Sequence, residues 1–206
     1  MKLILVRHGE TYWNKERRVQ GGGSDIGLSE AGLKQADRLA LALKNENVTV
    51  IISSPLKRAL VTAEAIARQH RLPVVINDGL KEIAVGELEG LSVSDLSTTF
   101  TQHMMGWWQP GGSGRLPGGE SFLEFQERSW AAIKDLLAGH KDGTAVAVCH
   151  YFVILAIIFK ALGLPLSYLT KFKMDTGGVS ILEFSDYGAR LVAFNNTSYQ
   201  SVIVRS

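Results

Sequence analysis

Residues 3–14 read Leu-Ile-Leu-Val-Arg-His-Gly-Glu-Thr-Tyr-Trp-Asn. Four apolar residues in a row, Leu3 to Val6, predict a short strand buried on both faces, and the run stops at Arg7-His8-Gly9. A buried strand that ends by presenting a guanidinium and an imidazole on one turn points to a site at its carboxyl end. The same grammar returns at residues 145–149, Ala-Val-Ala-Val-Cys, which run into His150 and then a helical stretch. Open α/β sheets bind ligands outside the carboxyl ends of their strands. Two histidines at two such ends are therefore expected to meet in an anion-handling active site.

The intervening chain supports a sheet built from repeated strand-then-helix units. A polar, glycine-rich loop at 15–28 precedes Ser29, an expected N-cap for a helix with Leu33, Ala36, Leu39, Ala40 and Leu43 at helical spacing. Residues 48–52 form a β-branched strand broken by Ser53-Ser54-Pro55. Pro55 then opens a helix bearing Leu56, Ala59, Leu60, Ala63 and Ala67. A third short strand is expected at 72–76, a helix over 120–137, and an apolar helix over 151–162. Residues 178–184 and 189–195 flank Ser185-Asp186-Tyr187-Gly188 as a closing hairpin. The expected fold is α/β, a three-layer α/β/α arrangement: a mostly parallel sheet with one antiparallel strand. Residues 78–119 differ in character, with a Ser/Thr-rich helix candidate at 92–104 and a Met-Met-Gly-Trp-Trp cluster. They read as a small cap inserted into one domain spanning 1–206.

At 206 residues and 46% hydrophobic composition, the chain is long enough for one well-buried core. A formal net charge of +2 gives no reason to expect nucleic acid or an anionic membrane as partner. The longest apolar run, 151–159, is too short to span a bilayer. No secretory signal is read at the start, and a single cysteine, Cys149, fits a reducing compartment, so a cytoplasmic location is expected. No Cys/His or His/carboxylate spacing suggests a metal, and no cofactor is expected. His70, His103 and His140 read as surface residues. The hairpin end offers a surface for pairing subunits into a homodimer.

The chemistry of the strand ends suits phosphoryl transfer, which is catalysed mainly by positioning and charge neutralisation. Arg7 and Arg58 are the natural clamps, because a guanidinium binds phosphate oxygens bidentately and stays charged. His8 as a neutral imidazole can attack phosphorus and form a covalent phosphohistidine. His150 is expected to supply a second charge-assisted donor, and Glu82 to protonate the leaving oxygen and later deprotonate water. Activity is expected to fall on acidification as His8 takes up a proton in the imidazole range. Trp107 and Trp108 read as cap-packing residues rather than ligand contacts, and plain loop flexibility is the alternative to a binding role for Gly21 to Gly23.

Taken in order along the chain, these motifs resemble the histidine phosphatase, or phosphoglycerate mutase-like, superfamily. Arg7-His8-Gly9-Glu10-Thr11 resembles its signature, and Ser54-Pro55-Leu56 with Arg58-Ala59 its arginine-bearing helix start. Leu80, Glu82, Gly86, Glu89 and Gly90 resemble its acid-containing stretch, and Pro117-Gly118-Gly119-Glu120-Ser121 a phosphatase-branch block. The resemblance implies a metal-free mechanism with His8 as nucleophile, Arg7, Arg58 and His150 as the phosphate pocket, and Glu82 as acid/base. It further implies that Asn14, Gln20 and Gly21 hold phosphate oxygens or substrate. Where the family usually has Gly after the second histidine, this chain has Tyr151, whose backbone N–H can still serve the phosphate while its ring reshapes access. The expected function is a phosphomonoester hydrolase of the small-phosphatase branch acting on a small-molecule phosphate ester. It is most similar to α-ribazole phosphatase of cobalamin biosynthesis or a broad-specificity relative. The alternatives are a phosphoglycerate mutase and a non-catalytic phospholigand-binding module.

Overall fold

The computed structural model describes residues 1–94, 96, 114, 115, 117–140 and 142–201. Six strands form one sheet: β1 (Lys2–Arg7), β2 (Val48–Ser53), β3 (Val74–Ile76), β4 (Thr144–Cys149), β5 (Val179–Ser185) and β6 (Gly188–Asn196), in the order β3-β2-β4-β1-β5-β6. β3, β2, β4 and β1 are mutually parallel. β5 runs against β1, and β6 runs against β5, so β5 alone opposes the rest. The helices are α1 (Tyr12–Lys15), α2 (Glu30–Leu43), α3 (Lys57–His70), α4 (Phe122–Gly139) and α5 (Tyr151–Leu162).

Strand alternation divides the core in two. Leu3, Leu5, Ala145, Ala147 and Cys149 point to the face covered by α4 and α5. Ile4, Val6, Val146 and Val148 point to the face covered by α2 and α3. Because β1 and β4 are buried on both faces, they read as continuous apolar runs rather than alternating ones. Each fully buried Leu or Ile side chain contributes about 1.5–3 kcal/mol over leaving it in water, which holds the strand ends in register. This is the expected three-layer α/β/α fold.

Local details differ from the sequence reading. Leu33 is exposed, and Gly32 takes the inward position on α2. The start of α2 lies so close to the loop after His8 that a Cβ on Gly32 would fall 2.0 Å from the Glu10 carbonyl oxygen. No side chain fits, so the apolar stripe begins one position earlier than Leu33. A one-turn helix, α1, closed by a Thr11–Asn14 capping box, precedes the glycine-rich loop. Pro55 lies before the helix rather than in its first turn, with Leu56 as the N-cap of α3.

Within the expected cap, Leu80, Ile83, Val85, Leu88 and Leu96 are buried in the core on the α4–α5 side. The Trp107–Trp108 cluster, His103 and most of the helix expected at 92–104 lie outside the described residues. Among the described residues, no helix is long and apolar enough to cross a membrane.

Candidate active site

Sheet register alone brings the chemistry together. Arg7 of β1 pairs with Cys149 of β4, and the His8 N–H donates to the Cys149 carbonyl at 3.1 Å. The next residue on each strand is a histidine, and the two rings sit 5.1 Å apart at 60°. On the other side of β4, Ser53 pairs with Val148 and the Ser54 N–H donates to the Val148 carbonyl at 3.0 Å. The first turn of α3 then delivers Arg58.

Both imidazoles are buried, and desolvation with the nearby Arg58 and Arg7 charges pushes their pKa values well below the usual 6.5. Both rings are therefore neutral at pH 7. Their hydrogen bonds assign opposite tautomers. His8 Nδ1 lies 2.7 Å from the Gly9 carbonyl oxygen, an obligate acceptor, so Nδ1 carries the proton and Nε2 keeps its lone pair. His150 Nδ1 lies 3.3 Å from Arg58 Nε, an obligate donor, so its proton is on Nε2, which donates to Ser54 Oγ at 2.8 Å. Burial among guanidinium groups disfavours a positive charge on the resting His150 ring.

Arg58 is fully buried, and burial lowers its pKa to about 10, with Glu82, Glu89 and Asp25 opposing the shift. A charged side chain this deep needs partners. Nε donates to His150, and the two terminal nitrogens donate to the Ser24 and Gly21 carbonyls at 2.8 and 2.9 Å. Two of its five N–H groups have no acceptor among the described residues and can meet a ligand. The Gly21–Gly23 stretch is not a loose loop. Glu89 accepts from the Gly21 N–H, the Gly23 N–H and Ser24 Oγ, and Gly22 donates to the Ile83 carbonyl. A Cβ on Gly22 would lie 2.4 Å from the Glu82 carbonyl oxygen, so glycine is required for this approach.

Arg7 donates through a terminal nitrogen to the Met174 carbonyl, and its guanidinium lies 5.3 Å from the Tyr151 ring centroid. Tyr151 turns its hydroxyl away to donate to the Phe172 carbonyl at 2.6 Å. Its ring is therefore a platform for Arg7. Arg7 Nε and Gln20 Nε2 are buried donors with no acceptor among the described residues. Gln20 Oε1 accepts from Thr11 Oγ1 at 2.9 Å, and Asn14 Oδ1 accepts from the Thr11 N–H at 3.0 Å, which gathers Thr11, Asn14 and Gln20 at the start of α1.

Glu82 is buried, and burial raises its carboxyl pKa. The Ile83 and Phe152 N–H groups, at 2.9 and 3.2 Å, and the Arg58 and Arg7 charges act in the opposite direction. Arg7, His8, Arg58, Glu82 and His150 thus share one electrostatic environment. Gly21 is hydrogen-bonded to Arg58 and Tyr151 stacks on Arg7, while the side-chain bonds of Asn14 and Gln20 run to Thr11. Sequence reasoning gave no task to Ser54, Glu89, Glu120 or Arg128, all of which hold this site in place. His70 and His140 are half-buried rather than fully at the surface. Among the described residues, no group of three His, Cys, Asp or Glu side chains forms a metal site.

The chain is 33% identical over 186 residues to "Probable phosphoglycerate mutase GpmB" of Proteus mirabilis, covering 90% of this chain and 86% of that protein. It is 33% identical over 199 residues to phosphoserine phosphatase 1 of Hydrogenobacter thermophilus, covering 97% and 94%. A mutant phosphoserine phosphatase from Entamoeba histolytica, solved with phosphoserine, superposes with a TM-score of 0.85 at 32% identity, covering 96% and 98%. A "putative alpha-ribazole-5'-P phosphatase" from Escherichia coli gives 0.84 at 27%, covering 95% and 96%. With residues 3–197 also matching the family model for branch 1, the chain belongs to the histidine phosphatase superfamily.

Proposed function

We propose that the protein is a metal-independent phosphomonoester hydrolase acting through a phosphohistidine on His8. One observation carries the reading. A neutral imidazole whose Nε2 has no partner among the described residues stands beside Arg58 and Arg7, and Arg7 Nε and Gln20 Nε2, the latter's amide tied to Thr11, are buried donors with no acceptor among those residues. A phosphoryl group supplies oxygens for both donors and phosphorus for the lone pair. In the first step His8 Nε2 bonds to phosphorus, the ester P–O bond breaks, and the leaving oxygen takes the proton from Glu82. The positive ring that results keeps its Nδ1–H on the Gly9 carbonyl. Water then gives a proton to Glu82 while its oxygen bonds to phosphorus. The N–P bond breaks, inorganic phosphate departs, and neutral His8 and protonated Glu82 are restored. A bound phosphate dianion would raise the His150 pKa and make that ring a charged donor.

The substrate is a small-molecule phosphate ester met in the cytoplasm, and the chain acts as a single domain. Phosphoserine and α-ribazole-5'-phosphate are the first candidates, on the strength of the phosphatases this chain resembles. The mutase relative favours a second reading, phosphoglycerate isomerisation. Phosphate release from p-nitrophenyl phosphate with excess chelator, lost in His8→Ala, tests the class. No release from that ester or either candidate would overturn it. Incubation with 3-phosphoglycerate and a trace of its bisphosphate, scored for isomer against free phosphate, separates hydrolase from mutase.

A further inference from the structure

Arg128 on α4 makes more hydrogen bonds than any side chain that touches the histidines, yet it belongs to none of the expected motifs. Nε and one terminal nitrogen donate to both Glu120 carboxylate oxygens, at 2.9 and 2.6 Å. The other terminal nitrogen donates to the Gly79 and Lys81 carbonyls at 2.9 and 2.8 Å. A further bond reaches the Glu82 carbonyl at 3.1 Å. All five guanidinium N–H groups are thereby engaged, and three of the acceptors are backbone carbonyls around Glu82. Glu120 completes the brace: its Oε1 accepts the Ala84 N–H at 2.8 Å, and its own N–H donates to the Ala84 carbonyl. The guanidinium also stacks on Phe125, 4.8 Å from the ring centroid. Residues 79–84 hold no strand or α-helix, only the end of a short turn at Asp78–Leu80. The Glu82 carboxyl is therefore placed by these ties together with the Ile83 and Phe152 N–H groups that donate to it and the Gly22 N–H bond to the Ile83 carbonyl.

We propose that Arg128 is a positioning residue that, with Glu120, holds the Glu82 carboxyl in place to protonate the leaving oxygen. The proposal rests on Glu82 being the acid of a phosphatase. A planar five-donor fork is needed to gather three carbonyls and a carboxylate, whereas a lysine keeps the charge but has only three donors on one atom. Arg128→Lys therefore separates geometry from field.

The readout is kcat/KM on two esters. A 2,4-dinitrophenyl phosphate leaves without a proton, while an alkyl phosphate such as phosphoserine needs one. Arg128→Lys should lose about tenfold or more on the alkyl ester and under about threefold on the dinitrophenyl ester, given the 10²–10⁴ typical of a general acid. Glu82→Gln should show the same selectivity, and the double variant should be no worse than Glu82→Gln alone. Equal loss on both esters, or none on either, overturns the assignment of Arg128. If Arg128→Lys does not fold, Glu120→Gln is read in its place: selective loss on the alkyl ester supports the brace, and unselective or absent loss overturns it. A wild-type protein that cleaves neither ester would instead sink the phosphatase reading itself.

Discussion

His8 and His150 are near-duplicates by position. Each follows a buried apolar strand, each is almost fully buried, and each is held neutral by desolvation and the same two arginines. They differ in what their ring nitrogens touch. His8 is anchored through Nδ1 to its neighbour's carbonyl and leaves Nε2 without a partner among the described residues. His150 is held at both nitrogens, by Arg58 and by Ser54. Burial and charge do not distinguish the two rings; the proposed role of His8 as nucleophile rests on the hydrogen bond that its Nε2 leaves unmade among the described residues.

The largest expected effect breaks the pair apart. His8→Ala should abolish turnover by about 10⁴-fold or more and leave no trappable phosphoenzyme. His150→Ala should cost about 10²–10³-fold, as for loss of one oxyanion donor, and still form the phosphoenzyme. If phosphate is trapped in His8→Ala and not in His150→Ala, the two roles are reversed.

A pH profile sharpens the same contrast. The His8 pKa lies below 6.5 in the folded protein, so the ring stays neutral as pH falls through the ordinary imidazole range and is protonated only at lower pH. The acid limb of kcat/KM that belongs to the enzyme should therefore sit below pH 6.5, a correction to the limb expected from sequence. On the alkaline side the sign is opposite. Burial raises the Glu82 pKa, so its proton persists above the usual carboxylate range, and kcat/KM for an alkyl ester should fall as pH rises past that value. Two esters of different phosphate pKa distinguish the limbs, since the substrate's own second ionisation moves between them. An enzyme limb centred near 6.5 would count against the buried-nucleophile geometry.

Ser54→Ala should give the smallest effect. Loss of one hydrogen-bond partner of His150 is worth about 1 kcal/mol, or roughly fivefold in kcat/KM. A change as large as that of His150→Ala would mean that Ser54 itself acts in the reaction.

Much of this site was legible because it follows from period and register. A four-residue apolar run ending in Arg7-His8, a second ending in His150, and parallel pairing between them place both histidines together. Arg58 was legible from the Ser-Pro break before α3. The supports were not. Arg128 reaches backbone carbonyls 46 to 49 positions away, and Glu89 accepts from N–H groups 66 and 68 positions away. Bonds from a side chain to distant backbone leave no periodicity to read. Gly32 was passed over for Leu33 because a helical stripe scores apolar volume, while the fold at that point demanded the absence of any side chain. The rigidity of Gly21–Gly23 was hidden for the same reason, since the carboxylate that fixes it lies in another segment.

Cys149, the residue just before His150, is the chain's one thiol, fully buried, and burial drives its pKa far up. Alkylating reagents act on thiolate and will find almost none while β4 is intact. Labelling of Cys149 therefore clocks the opening of the central strand, giving the molecule a native reporter of its own unfolding at the seam where its two histidines join.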